Sequence, residues 1–263
     1  MSIKKTVLIT GAGSGIGRAM AIEGARRGYA LILTGRTVAN LEATRDMIGA
    51  GDVTLVPGDV TTREGRDAMV AATGGRLDIL INNAGVLAVG HLRDLDDDRL
   101  NRVVATNLIA PMAVARDLLP SLEAAQGRVV NVGSVFGDIA YPFFAAYSAT
   151  KFGLRGFSDA LRRELSGQGV GVTYIAPRAT QTAAEAEFAA LVEPMDMTMD
   201  TPARVATQAW DAIEAGKRES FPRGKERLFV KIQRLFPSII DKAVGAQARD
   251  PKTLRALETV SKA

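Results

Sequence analysis

Near its amino terminus the chain reads TVLITGAGSGIG from Thr6 to Gly17. The first five residues, Thr6–Thr10, form a short apolar run that is typical of a strand buried on both faces of a sheet. Glycines follow at once, and a segment of helical periodicity begins at Gly15. Glycines allow a tight turn and a close approach of backbone to phosphate, and the first amides of a helix attract its charge. The stretch therefore predicts a strand, a phosphate-binding loop and a helix, the alternative being a purely structural turn.

The rest of the chain continues this alternation of strands and helices. Five more apolar runs predict strands, and helical segments lie between and after them. Such alternation requires a parallel sheet with helices on both faces. We predict an α/β fold, a single Rossmann-like, doubly wound domain of three layers over residues 1–222, with strand order 3-2-1-4-5-6. The predicted strands are 6–10, 30–35, 53–57, 77–82, 128–134 and 171–176, and the predicted helices are 15–27, 38–48, 63–72, 96–119, 147–165 and 201–215.

Composition excludes several classes of site. The 263 residues include no cysteine and one histidine, His91, so thiol chemistry and a metal site built on thiolates or imidazoles are excluded. No run of about 18 apolar residues occurs, which argues against a signal peptide and a spanning helix. Residues 1–216 carry 21 basic and 24 acidic side chains, and the aromatic residues are scattered. We therefore expect a cytoplasmic protein that binds no nucleic acid.

The second predicted strand ends at Gly35-Arg36 without an acidic residue. In dinucleotide-binding folds an acid at this position binds the adenosine ribose hydroxyls, whereas a nearby arginine accommodates a 2′-phosphate. Arg36 therefore favours NADP(H) over NAD(H), unless it is a solvated surface charge. The loop residues expected to bind the cofactor are Gly11, Ser14, Gly15, Ile16 and Gly17.

Tyr147 and Lys151 lie four residues apart in the segment after the fifth predicted strand. In a helix this spacing places both side chains on one face, one turn apart. A neighbouring ammonium favours the phenolate form of a tyrosine, whose ordinary pKa is about 10. Tyr147 is therefore a candidate for proton exchange with a substrate oxygen. An isolated pair with this spacing is more often structural.

This pair belongs to an ordered series of motifs. A TGxxxGxG loop occupies Thr10–Gly17, an acidic-aliphatic pair follows the third predicted strand, and NNAG occupies Asn82–Gly85. An asparagine in the fourth helical segment and a serine at the end of the fifth strand precede the YxxxK motif. In these motifs the sequence resembles the short-chain dehydrogenase/reductase family over roughly residues 4–222.

The resemblance implies four catalytic residues. Ser134 would orient the substrate carbonyl, and Tyr147 would donate a proton to its oxygen. Lys151 would lower the pKa of Tyr147 and bind the nicotinamide ribose. Asn107 would hold a water that links the lysine to solvent, with a bracing role in its helix as the alternative.

The resemblance also implies further cofactor contacts. Asp59 and Val60 would contact the adenine, while Asn83, Ala84 and Gly85 would run along the adenosine ribose. Asn82 is expected to be structural.

Departures from the family pattern begin after the sixth predicted strand. The family has Pro-Gly there, with a threonine four residues beyond, and this segment closes over the nicotinamide. Pro177 and Thr182 keep those positions, but Arg178 replaces the glycine. Its guanidinium could bind an acidic group of the substrate or face solvent.

Residues 183–200 occupy the position of the family's substrate lid, and their methionines and Phe188 predict an adaptable apolar wall. The region 223–263 is predicted to be a basic helical tail, and residues 217–263 carry twelve basic against five acidic side chains. Within it, 225–236 has the pattern of a basic amphipathic helix, which could contact an anionic membrane, cover the cleft or pack on another subunit. The family usually forms homodimers or homotetramers through the segments 96–119 and 147–165.

Together these observations predict an oxidoreductase that transfers a hydride between NADP(H) and a carbonyl or secondary alcohol, with a hydrophobic ketone or aldehyde as substrate. Two alternatives remain open. One is an NAD(H)-dependent hydroxysteroid-type or secondary alcohol dehydrogenase. The other is a non-catalytic, dinucleotide-sensing protein of the same fold.

Overall fold

A parallel sheet of seven strands forms the centre of the computed structural model, which describes residues 4–224 and 226–260. The strands are β1 (Thr6–Thr10), β2 (Ala30–Gly35), β3 (Val53–Pro57), β4 (Ile79–Asn82), β5 (Arg128–Val132), β6 (Gly171–Ile175) and β7 (Glu219–Ser220). Their order across the sheet is β3-β2-β1-β4-β5-β6-β7. The predicted order of the first six strands is confirmed. The edge strand β7 was not predicted, because two residues carry no periodicity.

Helices cover both faces of the sheet. They are α1 (Gly15–Arg26), α2 (Val38–Ile48), α3 (Arg63–Ala72), α4 (Asp97–Val104), α5 (Ala110–Ala125), α6 (Ala145–Glu164), α7 (Ala189–Val192), α8 (Pro202–Glu214), α9 (Glu226–Leu235), α10 (Pro237–Arg249) and α11 (Pro251–Val260). The predicted three-layer, doubly wound α/β fold with a helical carboxyl-terminal region is thereby confirmed.

The core consists of two apolar layers separated by the sheet. On one face Val7 and Ile9 of β1 belong to a cluster that includes Met20 of α1 and Trp210 of α8. The Trp210 indole donates a hydrogen bond to the Met20 carbonyl oxygen at 2.9 Å. Leu8, between the two other β1 residues, belongs to the cluster on the opposite face. Because both faces of β1 are buried, every residue along its middle is apolar.

The helical stretch predicted for 96–119 extends in the structure from Asp97 to Ala125 and contains an irregular turn. Helices α4 and α5 are joined by a π turn at Ala105–Ile109. Within the described chain, Asp97–Ala125 is the one helical stretch long and apolar enough to cross a membrane. Val114, Leu118 and Leu122 are buried in the core cluster beside the sheet, as in the core helix of an α/β domain.

Three helices form the tail. Helix α9 ends at Leu235, and proline occupies the first helical position of both α10 and α11. The first residue of the predicted helix 225–236, Lys225, lies outside the described residues. Val230 and Ile240 are buried in a cluster with Ile139 of the main domain. Leu257 of α11 packs with Leu191 and Met195 of the predicted lid.

Candidate active site

The glycine-rich loop turns sharply between β1 and α1. Gly11 and Gly15 have φ angles of 65° and 52°, in the left-handed region that favours glycine. A Cβ atom on Gly17 would collide with the Gly11 carbonyl group, so this glycine lets α1 pack against the loop. Asn83, after β4, donates its side-chain amide to the Thr10 carbonyl oxygen at 2.9 Å and thereby supports the loop.

One elongated cavity of about 590 Å³ extends along the carboxyl ends of the strands, where open α/β sheets bind their ligands. Two of the predicted site residues are not in its wall. These are Asn107 and Gly17, and Gly17 packs against the back of the glycine-rich loop at Gly11. The predicted residues that line it are Gly11, Ser14, Gly15, Ile16, Arg36, Asp59, Val60, Asn83, Ala84, Gly85, Ser134, Tyr147, Lys151, Pro177 and Thr182.

At one end of the cavity Arg36 and Asp59 come close to each other. Burial disfavours the charged form of Asp59, but hydrogen bonds from the backbone and hydroxyl of Thr61 and the charge of Arg36 outweigh it. The pKa of Asp59 is therefore lowered. No acidic residue ends β2, so a phosphate near Arg36 would meet a guanidinium rather than a carboxylate at that strand end.

Ser134, Tyr147 and Lys151 meet at the middle of the cavity. Ser134 follows β5, and its hydroxyl oxygen accepts a hydrogen bond from the Phe136 amide at 3.1 Å. The Ser134 side chain also lies near the Tyr147 phenol and lowers its pKa. Lys151, one turn along α6, is buried, and its ammonium donates to the Val132 carbonyl oxygen at 3.0 Å. The arrangement places two hydroxyl groups side by side with a cation near the tyrosine ring.

Burial controls the protonation of this group. It raises the pKa of Tyr147 to about 12, although the nearby Ser134 side chain lowers it in part. It also lowers the pKa of Lys151 to about 8. The expected lowering of the tyrosine pKa by the lysine is not the main influence here, because desolvation has the largest effect on the pKa of both groups.

Asn107 lies in the π turn between α4 and α5 and is buried. Its side-chain oxygen accepts from the Val86 amide at 2.8 Å, and its nitrogen donates to the Val86 carbonyl oxygen at 2.9 Å and to the Thr150 hydroxyl at 3.3 Å. The amide thus ties the segment after β4 to helix α6, beside Lys151. Single π turns occur frequently at functional sites, and the water-holding role of Asn107 stays a prediction.

Arg178 takes neither of the two roles that its sequence position suggested. Its guanidinium forms a two-point contact with Asp200, at 2.9 Å from each carboxylate oxygen, and a third contact with Glu226 at 2.7 Å. Asp200 is the last residue of the lid and Glu226 begins α9, so the arginine joins the loop after β6 to the lid and the tail. Thr182, further along this loop, lies against Gly15, which brings the loop over the phosphate-binding turn.

The cavity wall beside the lid carries several aromatic and apolar side chains. The Phe144 ring packs edge to face with two others. Its centre lies 5.1 Å from that of Phe136 and 6.4 Å from that of Phe188. Met197 lies in the cavity wall, whereas Met195 is buried beneath it. Glu187 is the acidic residue on the lid side of the wall. The lid residues therefore supply both a pocket surface and its packing on α11.

Sequence reasoning missed Tyr174 on β6. This phenol is buried behind Ser134 and Lys151. Its oxygen is 3.3 Å from both the amide nitrogen and the carbonyl oxygen of Ser134 and 3.4 Å from the Lys151 carbonyl oxygen. Gly133 and Gly137 leave the space that the ring and hydroxyl occupy. A tyrosine in an apolar strand gives no signal of such a role.

Comparisons with known proteins agree with the geometry. The family model described as short chain dehydrogenase matches residues 5–191. An uncharacterized oxidoreductase of Myxococcus xanthus (strain DK1622) is 35% identical over 227 residues, which are 83% of this chain and 87% of that protein. Ketoacyl reductase HetN of Nostoc sp. is 30% identical over 250 residues, with 90% of this chain and 87% of that protein covered.

Solved structures share the fold. A short chain dehydrogenase/reductase from Burkholderia phymatum in complex with NAD superposes with a TM-score of 0.82 at 24% identity, over 90% of this chain and 95% of that one. A single-residue variant of actinorhodin polyketide ketoreductase with NADPH gives a TM-score of 0.75 at 27% identity, over 82% of this chain and 94% of that one.

Proposed function

The chain belongs to the short-chain dehydrogenase/reductase family, and from this premise we propose that it transfers a hydride between NADP(H) and a hydrophobic ketone or aldehyde. The observation that carries the proposal is the meeting of Ser134, Tyr147 and Lys151 in the wall of one cavity with the glycine-rich loop. Membership of the family makes the protein an oxidoreductase that uses a nicotinamide dinucleotide. The choice of NADP(H) and of an apolar carbonyl is the part proposed here.

The cavity fits a dinucleotide. A cradle at Gly11 and Gly15 admits no side chain without strain or collision, as the positive φ angles and the nearby Ala84 and Thr182 atoms show. The amino end of α1 lies in the wall and would attract a pyrophosphate. Arg36 would contact the 2′-phosphate, and Lys151 would reach the ribose next to the nicotinamide.

The bound nicotinamide supplies or accepts the hydride. The chain's own residues would orient the substrate carbonyl and transfer a proton to its oxygen. Ser134 would donate a hydrogen bond to the substrate oxygen, and Tyr147, protonated at neutral pH because its pKa is raised to about 12, would deliver its proton to that oxygen as negative charge develops. Lys151 would favour the resulting phenolate by its positive charge.

An apolar substrate follows from the wall beside Tyr147. Phe136, Phe144, Phe188 and Met197 border this part of the cavity. Such a surface would bind a carbonyl carrying alkyl or aromatic groups, because contact with it removes their apolar surface from water. The ketoacyl and polyketide reductases among the related proteins lend support to a carbonyl substrate.

Association into a homodimer or homotetramer is part of the proposal. Leu100, Ile109 and Phe152 expose large apolar side chains on α4, the π turn and α6, which are the segments that the family resemblance implicates. Burial of these residues against a second copy would remove apolar surface from water.

The test is a spectrophotometric screen for oxidation of NADPH with aliphatic, aromatic and steroidal ketones and aldehydes, repeated with NADH. We expect turnover of at least one apolar carbonyl, with NADPH preferred. Tyr147→Phe should abolish turnover and leave the dissociation constant for NADPH within about twofold, because the phenol acts in proton transfer. Nucleotide binding without turnover of any carbonyl or alcohol would instead favour the non-catalytic, dinucleotide-sensing alternative, and a preference for NADH would favour the NAD(H)-dependent one.

A further inference from the structure

Four large apolar side chains face solvent where α9 meets α10. Their exposed fractions are 58% for Leu228, 71% for Leu235, 59% for Phe236 and 55% for Ile239. Leu228 and Leu235, seven residues apart, lie on one face of α9, and the other two follow at the start of α10. We call these four residues the tail patch. These four residues do not hold the tail on the domain. That contact is made by other faces of α9 and α10, which carry the buried Val230 and Ile240.

Basic side chains surround the tail patch. Lys231 lies between Leu228 and Leu235 on the outer face of α9, Arg227 is one residue from Leu228, and Lys242 is one turn beyond Ile239. All three are exposed, and none is paired with a carboxylate of the described chain. Of the acidic residues near the patch, Glu226 is bound to Arg178, whereas Asp241 is exposed on α10 next to Lys242.

We propose that the tail patch binds an anionic lipid surface. Leucine, isoleucine and phenylalanine side chains can enter the boundary between headgroups and acyl chains, while lysine and arginine reach the lipid phosphates. The positive charge of the tail complements that surface. A second copy of the chain fits less well, because a twofold contact would bring the same cations together.

The test is co-sedimentation of the full-length protein with vesicles of phosphatidylcholine alone or of phosphatidylcholine with phosphatidylglycerol, at low and high salt. We expect binding only to the anionic vesicles and loss of binding at high salt. The double variant Arg227→Gln/Lys231→Gln should weaken binding about 30-fold, at about 1 kcal/mol for each cation. Leu235→Ser/Phe236→Ser should abolish it.

Met47→Ser is the matched control, since it removes an equally exposed apolar side chain from α2 and should leave binding unchanged. Equal binding to neutral vesicles, or wild-type binding by both double variants, would overturn the proposal. A wild-type protein that ignores vesicles, together with a Leu235→Ser/Phe236→Ser variant of smaller oligomeric mass, would show that a second copy covers the patch and would also overturn it.

A separate observation concerns Tyr174. Its hydroxyl accepts from the Ser134 amide and lies within hydrogen-bond distance of two carbonyl oxygens, those of Ser134 and Lys151. One group thus connects the residue after β5 with the second turn of α6. The Arg155 guanidinium lies 5.1 Å from the centre of the Tyr174 ring and holds the ring from outside. Arg155 is itself fixed by Asp138 and Glu219, at 2.9 and 2.7 Å.

We infer that Tyr174 is a positioning residue that sets the distance between Ser134 and the Tyr147–Lys151 pair. The inference rests on the proposed function, because it concerns the same reaction. Tyr174 touches neither the cavity nor a reacting atom. It acts through the backbone of the residues that do.

Tyr174→Phe keeps the ring and removes the hydroxyl. We expect kcat for carbonyl reduction to fall about tenfold, the equivalent of one hydrogen bond, with KM for NADPH unchanged. Alcohol oxidation needs Tyr147 as the phenolate, so its rate rises with pH towards the pKa of Tyr147. Weaker contact between Ser134 and Tyr147 should move this rising limb of the pH profile to higher pH, because that contact lowers the pKa of Tyr147.

Tyr29→Phe is the control. It removes a tyrosine hydroxyl that contacts Glu214 at 3.2 Å, away from the cavity, and should leave kcat and the pH profile unchanged. If the wild type turns over and Tyr174→Phe has the same kcat and pH profile, the positioning role is wrong, even if the melting temperature falls. Absence of turnover in the wild type would contradict the proposed function instead.

Discussion

The Lys151 ammonium lies 5.5 Å from the centre of the Tyr147 ring and donates its hydrogen bond to a main-chain oxygen instead of to the phenol. The two groups share a desolvated site in which burial favours the neutral form of each. The raised pKa of Tyr147 keeps the proton on the phenol. The positive charge of Lys151 therefore matters most at the moment when the phenol loses that proton.

The rate of carbonyl reduction should depend on the charge of Lys151. Its pKa is lowered to about 8, so the ammonium loses its proton as pH rises through that value, while Tyr147 stays protonated. We expect kcat/KM for the carbonyl to fall above about pH 8. The measurement is a pH profile under saturating NADPH. A profile flat from pH 6 to about 10 would contradict the assignment of Lys151.

Lys151→Met should abolish turnover and stabilise the fold at neutral pH. The pKa of Lys151 is about 8 in the folded chain against 10.5 for the free side chain. The unfolded state therefore binds more protons between these values, and the penalty for burying the charge is largest below pH 8 and disappears above about 10.5. The shift corresponds to about 3 kcal/mol, from which a lost hydrogen bond subtracts about 1 kcal/mol.

Thermal denaturation at pH 7 and at about pH 10 tests this. The advantage of Lys151→Met over wild type should shrink as pH rises. A variant less stable than wild type at pH 7 would show that burial of the ammonium is not costly.

Arg36→Ala should weaken NADPH binding by 10- to 100-fold, about 1.5 to 3 kcal/mol for hydrogen bonds to a charged group, and change NADH binding by less than about twofold. The measurement is titration of each nucleotide by fluorescence or calorimetry. Arg26→Ala removes an exposed guanidinium at the end of α1 and serves as the control. An equal loss for both nucleotides would show that Arg36 does not contact the 2′-phosphate.

Arg178→Met should destabilise the protein by about 3 to 5 kcal/mol, because it leaves the buried Asp200 without its principal partner. Asp200 is 3% exposed, and among the residues that the structure describes Arg204, at 3.5 Å, is the other cation in contact with it. Adding Asp200→Asn should restore part of the loss. The control is Arg63→Met, which breaks an exposed pair with Asp67 and should leave the stability almost unchanged. Urea unfolding provides the values, and equal losses in both variants would contradict the buried pairing.

Local sequence was sufficient for the central fold. The run Thr6–Thr10 is the same five residues as β1, since a strand buried on both faces needs apolar residues throughout. The ends of an element differ from the prediction where pairing with a neighbouring strand determines them. The strand predicted for 77–82 begins at Ile79, because Leu77 belongs to the core but precedes the ladder with β1.

Most of the site residues predicted from motifs line one cavity, whereas contacts that depend on long-range pairing were not predicted. Pro177 and Thr182 could be placed from their spacing. The partners of Arg178 lie 22 and 48 residues away along the chain, and no local pattern couples those positions. Tyr174 was missed for the same reason, since its hydroxyl meets residues 40 and 23 positions earlier.

The three-way contact of Arg178 with Asp200 and Glu226 also has a consequence for the order of biosynthesis. Domains begin to fold while the ribosome is still adding residues, yet Glu226 emerges after the whole sheet and Leu257 later still. A nascent chain halted between β7 and α9 would contain the nucleotide fold but lack Glu226 and Leu257. Arg178 would then be paired with Asp200 alone, and the lid would lack its contact with α11. The loop after β6 and the lid therefore gain their full set of contacts only once the ribosome has made the final helices.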